Sequence, residues 1–147
     1  MATVELRFSA LPEHVRTARL VAAAVARRAG VDEAVLDEVR LAVGEACTRA
    51  VGLHQSGGIS APVHVSLIEE EKLFSIEVGD EAPRTAPGDK VPGARGASDE
   101  PDVETEEDEM GLAVISGLVD DVEVTAGEHG GLIRMSWPTT PPGLPLP

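Results

Sequence analysis

The sequence predicts an α/β two-layer sandwich in which helices cover one face of a mixed, mostly antiparallel sheet. The first observation is periodicity, because apolar residues recur at helical spacing in some segments and alternate with polar residues in others. The second is order, since the segments follow one another as strand, helix, helix, two strands, helix and two strands. Helices and strands in this arrangement bury their apolar sides as one helical layer on one sheet.

The N-terminal half contains one predicted strand and two predicted helices. From Val4 to Phe8, apolar residues alternate with charged ones, which indicates a strand with one buried face. A first amphipathic helix follows and ends at Gly30. Asp32 can cap a second helix that runs to about Leu53.

The C-terminal half contains two predicted hairpins with a short helix between them. The segment VHVSLIEEEKLFSIEVGD forms two strands around a polar turn, so that Val63, Val65 and Leu67 face Phe74, Ile76 and Val78. A short helix begins beside Gly111, and the segment VEVTAGEHGGLIRMSW forms a final hairpin with glycines at its turn.

The chain is predicted to form one domain over residues 1–137, followed by a proline-rich flexible tail at 138–147. A long loop interrupts the domain at about 82–109, and its second part, 96–109, carries eight acidic residues and no basic one. Loops of this length and composition are either lids over a site or solvated disordered inserts. The sequence leaves both interpretations open.

Composition excludes several classes of function. A formal net charge of −14 repels a phosphate backbone, and only three aromatic residues are available to stack on bases, so direct nucleic-acid binding is not expected. No apolar run is long enough to cross a membrane, and the single Cys47 and the absence of a leader predict a cytoplasmic protein. The four histidines lack metal-ligand spacing. A protein partner or a small ligand is the remaining class.

Four strings carry a family resemblance through their order and spacing: FSALPEHVRTAR, LAVGEACTRAV, IEVGDEAPR and GLAVISGLVDDVEV. Together they resemble the small anti-sigma factors that have the histidine-kinase-like ATPase fold of gyrase and MutL. That group contains the bacterial switch-protein serine kinases. The resemblance implies this fold and an ancestral protein kinase activity with Mg-ATP.

The first family motif is Glu-x-x-x-Asn on the second helix. The resemblance implies that Glu45 matches the general base, while Arg49 replaces the asparagine whose oxygen ligates Mg²⁺. A guanidinium has only hydrogen-bond donors, so Arg49 cannot ligate a cation. At i and i+4 of a helix, Arg49 is expected to form an ion pair with Glu45, or alternatively to contact a phosphate directly.

The second family motif is Asp-x-Gly-x-Gly, in which the aspartate accepts from the adenine amino group. The resemblance implies that role for Asp80, whereas Ala82 and Arg84 replace the two glycines. A Cβ at each position, with the fixed φ of Pro83 between them, restricts the backbone next to a nucleotide.

The third family motif is Gly-x-Gly-Leu. Gly111 and Leu112 match it, and Glu109 replaces its first glycine. The resemblance also makes the acidic loop the counterpart of the lid over ATP, where its carboxylates would repel a triphosphate. We therefore expect no cofactor, with ATP and magnesium bound only if an active kinase is the correct interpretation.

Partner recognition is better matched than catalysis. In the family, an arginine of the first helix contacts both the sigma factor and its STAS-domain antagonist, and Arg19 takes that position, with Arg16 one turn earlier on the same face. The resemblance also implies homodimers that pair through the sheet edge. The sequence thus predicts an anti-sigma regulator that acts by binding a sigma factor, a STAS-domain antagonist or both. The alternative is an active serine/threonine kinase that phosphorylates such an antagonist.

Overall fold

The structure is a computed structural model and describes residues 2–83, 112–119 and 121–139. Its strands are β1 (Ala2–Phe8), β2 (Val63–Glu70), β3 (Leu73–Asp80), β4 (Asp121–Gly127) and β5 (Gly130–Pro138). Its helices are α1 (Pro12–Ala29), α2 (Leu36–Ser56) and α3 (112–118), and a 3₁₀ turn (Glu33–Val35) precedes α2.

The five strands form one sheet in the order β1-β2-β3-β5-β4, and every described pair is antiparallel. The predicted fold class is confirmed. The first hairpin has the two predicted strands, in which Val65 pairs with Val78 and Leu67 with Ile76. The register is shifted from the predicted one, because Phe74 pairs with Glu69 and not with an apolar residue of β2. Lys72 closes this hairpin with a φ of 65°, a backbone conformation typical of a tight turn.

The core lies between the helices and one face of the sheet. Alternate residues of β2, β3 and β5 are buried on that face, and Leu67, Phe74 and Met135 are completely buried. On α1, the stripe of small residues from Ala18 to Ala26 packs against α2. Burial of each large aliphatic side chain contributes about 1.5–3 kcal/mol, so this aliphatic core stabilises the fold without disulfides.

The helix boundaries follow from local signals. Gly30 ends α1 in the left-handed conformation (φ 101°), and the Asp32 carboxylate accepts from the Ala34 N–H at 3.1 Å. Asp32 caps the 3₁₀ turn that leads into α2, as a capping residue should. The second helix continues to Ser56, three residues beyond the predicted end at Leu53.

Two predicted irregular segments lie mostly outside the described residues. Only Ala82 and Pro83 of the loop at 82–109 are described, so the lid and insert interpretations are not tested. The tail was predicted to start at Pro138, but Pro138 is the last residue of β5 and pairs with Leu73. A proline is compatible with that position because it ends the strand.

The helices of the described part are too short or too polar to be membrane spans.

Candidate functional site

Glu45 and Arg49 lie one turn apart on the flank of the buried stripe of α2. Both side chains are half-buried, whereas Ala46 and Ala50, their neighbours toward the core, are buried almost completely. This placement follows from the helical repeat, because positions i and i+4 share one face of a helix. The sequence therefore correctly predicts that the two residues lie on the same face.

The expected ion pair between these residues is not formed. Among the ion pairs of the described residues, none joins Glu45 to Arg49 within the 4.0 Å limit for nitrogen–oxygen contacts. The prediction of this pair was wrong, and the reason is energetic. Such a pair on a helix contributes only about 0.3–0.5 kcal/mol, so a competing interaction readily replaces it.

Asp80 ends β3 with a buried carboxylate. Only 7% of the residue is exposed, and its Oδ1 accepts from the Ala82 N–H at 3.0 Å. This hydrogen bond closes a turn in which an aspartate side chain replaces a backbone acceptor. Asp80 thus stabilises the local backbone in addition to any role toward a ligand.

Ala82 fits this turn without backbone strain. Within the described ranges, Lys72 is the sole non-glycine residue with a positive φ, so Ala82 has an ordinary backbone conformation. The residue is buried, with 6% exposed. At position 82, alanine therefore differs from the glycine of the family motif by a buried methyl group, and its backbone is not strained.

Gly130, at the start of β5, lies against the backbone of Asp80. Its φ is 124°, and a Cβ on it would stand 2.0 Å from the Asp80 carbonyl oxygen. The next residue, Gly131, pairs with Asp80 in the sheet. Only glycine tolerates both the conformation and the contact. The sequence predicts glycines at this turn but not their contact with Asp80.

A cavity of about 370 Å³ lies beside this contact. Asp80 forms one side, and the end of β4, the following turn and the start of β5 form the rest, including Thr125, His129 and Leu132. This volume falls within the range of small-molecule sites. A buried carboxylate on its wall can accept hydrogen bonds from a ligand.

His54 joins the end of α2 to the Asp80 turn, which the sequence does not predict. The residue is completely buried; its Nδ1 lies 2.9 Å from the Ala61 carbonyl oxygen, and its Nε2 accepts from the Glu81 N–H at 2.8 Å. The available signal is spacing, because His54 continues the buried stripe through Cys47 and Val51.

The candidate partner-binding arginines lie on the exposed surface of α1. Arg16 and Arg19 are both exposed, and the Arg19 side chain crosses α2 at Gly44. A Cβ on Gly44 would meet Arg19 Cδ at 3.0 Å. The absence of a side chain on Gly44 therefore gives the arginine room to lie across the two helices.

Of the third motif, Gly111 lies outside the described residues, as does Glu109. Leu112 begins the described part of α3 and packs, half-buried, against the core. The structure thus places Leu112 as an apolar residue that anchors α3.

The side chains around Glu45 and Arg49 do not suit a magnesium ion. Arg49 contributes N–H donors only, so Glu45 is the only one of the two that can offer a ligand oxygen. In the described ranges, no group of three or more His, Cys, Asp or Glu side chains could hold a metal ion. Cys47 is buried, and burial raises the pKa of its thiol to about 12, which leaves it protonated and unreactive.

Comparisons with known proteins agree with the fold described above. Residues 8–137 match the family model of the histidine kinase-like ATPase domain. A serine-protein kinase RsbW from Oceanobacillus iheyensis is 29% identical over 135 residues, covering 90% of this chain and 84% of its own. An anti-sigma F factor from Bacillus thuringiensis is 29% identical over 128 residues, covering 87% of this chain and 86% of its own.

A solved structure has the same fold. The crystal structure of the RsbU and RsbW domains of a Mycobacterium tuberculosis protein matches 92% of this chain with a TM-score of 0.65 at 15% identity. The match spans 31% of that longer chain. At this identity the likeness concerns the fold alone.

Proposed function

The chain belongs to the histidine kinase-like ATPase domain family, and on that premise we propose that it is an anti-sigma-type regulator that acts by binding another protein. The partner is a sigma factor, a STAS-domain antagonist of such a factor, or both. Nucleotide binding and phosphoryl transfer are weakened or lost. The relatives named as an anti-sigma F factor and as a serine-protein kinase RsbW support this assignment.

Arg49 carries the part of the proposal that concerns catalysis. Phosphoryl transfer depends mainly on positioned cations that neutralise the developing charge. A permanently protonated, half-buried guanidinium on α2 supplies charge but no oxygen for a metal. The buried methyl group of Ala82 beside Asp80 adds a steric obstacle where the family motif has a glycine.

Arg19 carries the part that concerns the partner. Its guanidinium is exposed on the α1–α2 surface and can bind a carboxylate through two parallel hydrogen bonds. Arginines of this kind are frequent anchors of protein interfaces. The homodimer also stays a prediction, with β1 and β4 as the two edge strands that pairing through an edge would use.

An active protein kinase is the second candidate, and one observation favours it. Because Arg49 does not hold Glu45 in an ion pair, the Glu45 carboxylate is available as a base toward an attacking hydroxyl. In this case Arg49 would contact a phosphate directly and replace part of the metal's charge.

A titration with Mg-ATP separates the two candidates. A ligand that binds only the folded state at about 100 times its dissociation constant stabilises that state by about 2.7 kcal/mol. We expect no rise in melting temperature for the natural chain and no phosphate transfer to a STAS-domain substrate. The matched variant Arg49→Asn restores the family's amide oxygen. A clear rise for the natural chain, together with phosphate transfer, would establish the kinase.

Co-purification tests partner binding. The tagged chain is expected to capture a sigma factor or a STAS-domain protein from its own cells, as identified by mass spectrometry. Reconstitution from the two purified proteins then follows. Arg19→Ala should weaken this capture at least about fivefold, because loss of an arginine that anchors an interface costs more than about 1 kcal/mol. Unchanged capture by the folded variant would remove Arg19 from the interface.

A further inference from the structure

His54 links three segments of the fold at one buried point. It lies in the last turn of α2 and contacts the carbonyl oxygen of Ala61, which precedes β2, and the backbone N–H of Glu81, which follows β3. The two distances, 2.9 Å and 2.8 Å, are those of good hydrogen bonds. Both ring nitrogens are therefore engaged.

The two partners fix the protonation state of the ring. The Glu81 amide can only donate, so Nε2 must present its lone pair. The Ala61 carbonyl can only accept, so Nδ1 must carry the proton. The network therefore assigns the neutral imidazole with its single proton on Nδ1.

We propose that His54 is a positioning residue for Asp80. The bond from the Glu81 N–H to Nε2 holds the residue directly after Asp80, and the bond from the Ala82 N–H to Asp80 Oδ1 closes the same turn. On the other side, Gly130 presses against the Asp80 carbonyl. His54 thereby fixes how the carboxylate is presented to the cavity beside β4 and β5.

Two substitutions separate the two hydrogen bonds. His54→Gln places an amide oxygen near the position of Nε2 and keeps an acceptor for the Glu81 N–H, while His54→Asn keeps only a donor near Nδ1 for Ala61. If His54 positions the turn, the Glu81 and Ala82 amides lose about tenfold hydrogen-exchange protection in the Asn variant and less than about threefold in the Gln variant. Equal losses in both variants would overturn the proposal.

Nuclear magnetic resonance of the natural chain provides a test that needs no substitution. The nitrogen shifts of His54 should report a proton on Nδ1 and none on Nε2, because Nδ1 faces a carbonyl oxygen and Nε2 faces an N–H. A proton on Nε2 would refute the assignment.

These measurements concern the turn and do not rest on the proposed function. Capture of the protein partner through Arg19 is measured separately on the same His54 variants. A protein without any partner would leave the exchange and resonance results unchanged, so failure of the proposed function is distinguishable from failure of the positioning role.

Discussion

Two glycines lie beneath the two candidate regions, the Arg19 surface and the Asp80 turn, and their contacts differ in kind. At Gly44, a Cβ would meet the flexible Arg19 side chain at 3.0 Å, on the exposed surface of the two helices. At Gly130, a Cβ would meet the Asp80 carbonyl oxygen at 2.0 Å, and the φ of 124° already requires glycine. A side chain can move away from such a contact, whereas a backbone held in a sheet cannot.

The difference indicates which region is free to change. Substitutions around Gly44 and Arg19 alter the shape of a surface while the fold persists, which suits a site that selects among protein partners. The Asp80 turn is held by Gly130, by His54 and by its own carboxylate, whatever ligand the cavity accepts. An aspartate at position 80 is therefore useful to the fold whether or not a ligand binds beside it, because its carboxylate closes the turn.

Gly130→Ala tests the rigid side of this comparison and should have the largest effect. The added methyl group combines a severe backbone contact with a φ that alanine rarely adopts, so we expect the free energy of unfolding to fall by about 3 kcal/mol or more. Urea denaturation measures the loss. Gly127→Ala is the matched control in the same hairpin, since nothing lies within 4 Å of its added Cβ. Similar losses in both variants would contradict the rigid contact.

A titration to high pH tests whether the buried face of α2, which carries Cys47, stays closed to solvent. Burial raises the pKa of the Cys47 thiol from 9.0 to about 12, so the neutral thiol stabilises the fold below pH 9. This contribution decreases as the pH rises from 9 toward 12, because the unfolded chain then loses the proton first.

Between pH 9 and about 10.5 we expect the free energy of unfolding to fall by up to about 1.4 kcal/mol per pH unit. Cys47→Ala should remove this part of the pH dependence of the free energy of unfolding and leave the part that comes from other titratable groups. A thiol that reacts rapidly with iodoacetamide at about pH 8 in the folded protein would indicate instead that the helix opens readily.

The elements of the fold are predictable from the sequence because each has a local signal. The alternation of β1, the capping by Asp32 and the strand pairs of the first hairpin all follow from short-range periodicity and turn residues. The Glu45–Arg49 ion pair was predicted by the same local rule and failed, since a weak pair on a helix depends on what else surrounds it.

The site was predicted less completely because its main contacts are long-range. His54 and Glu81 are 27 residues apart in the sequence. Gly130, at the start of the neighbouring strand β5, contacts the backbone of Asp80 at the end of β3. Single-sequence patterns carry no information about such pairings. Whether Glu45, Asp80 and Leu112 serve a ligand stays a prediction.

Substitution of Asp80 tests whether its carboxylate supports the turn without a ligand. Asp80→Ala leaves the buried Ala82 amide without its acceptor, so we expect a loss of about 1–2 kcal/mol in the free energy of unfolding. Asp80→Asn keeps an oxygen at that position and should lose less than half as much. Equal losses would assign the effect to the charge of the carboxylate and not to the turn.

Gly44→Ala tests the adjustable side and should have the smallest effect on stability. Alanine in the middle of a helix is favoured over glycine by about 0.8–1 kcal/mol, and only the flexible end of Arg19 must move, so stability should rise slightly or stay unchanged. Capture of the protein partner should nevertheless fall, because the displaced guanidinium no longer lies across α2. Gly52→Ala, on the same helix with nothing near its added Cβ, should gain stability without losing capture. If both variants bind the partner equally well, the position of Arg19 over Gly44 is not part of the recognition surface.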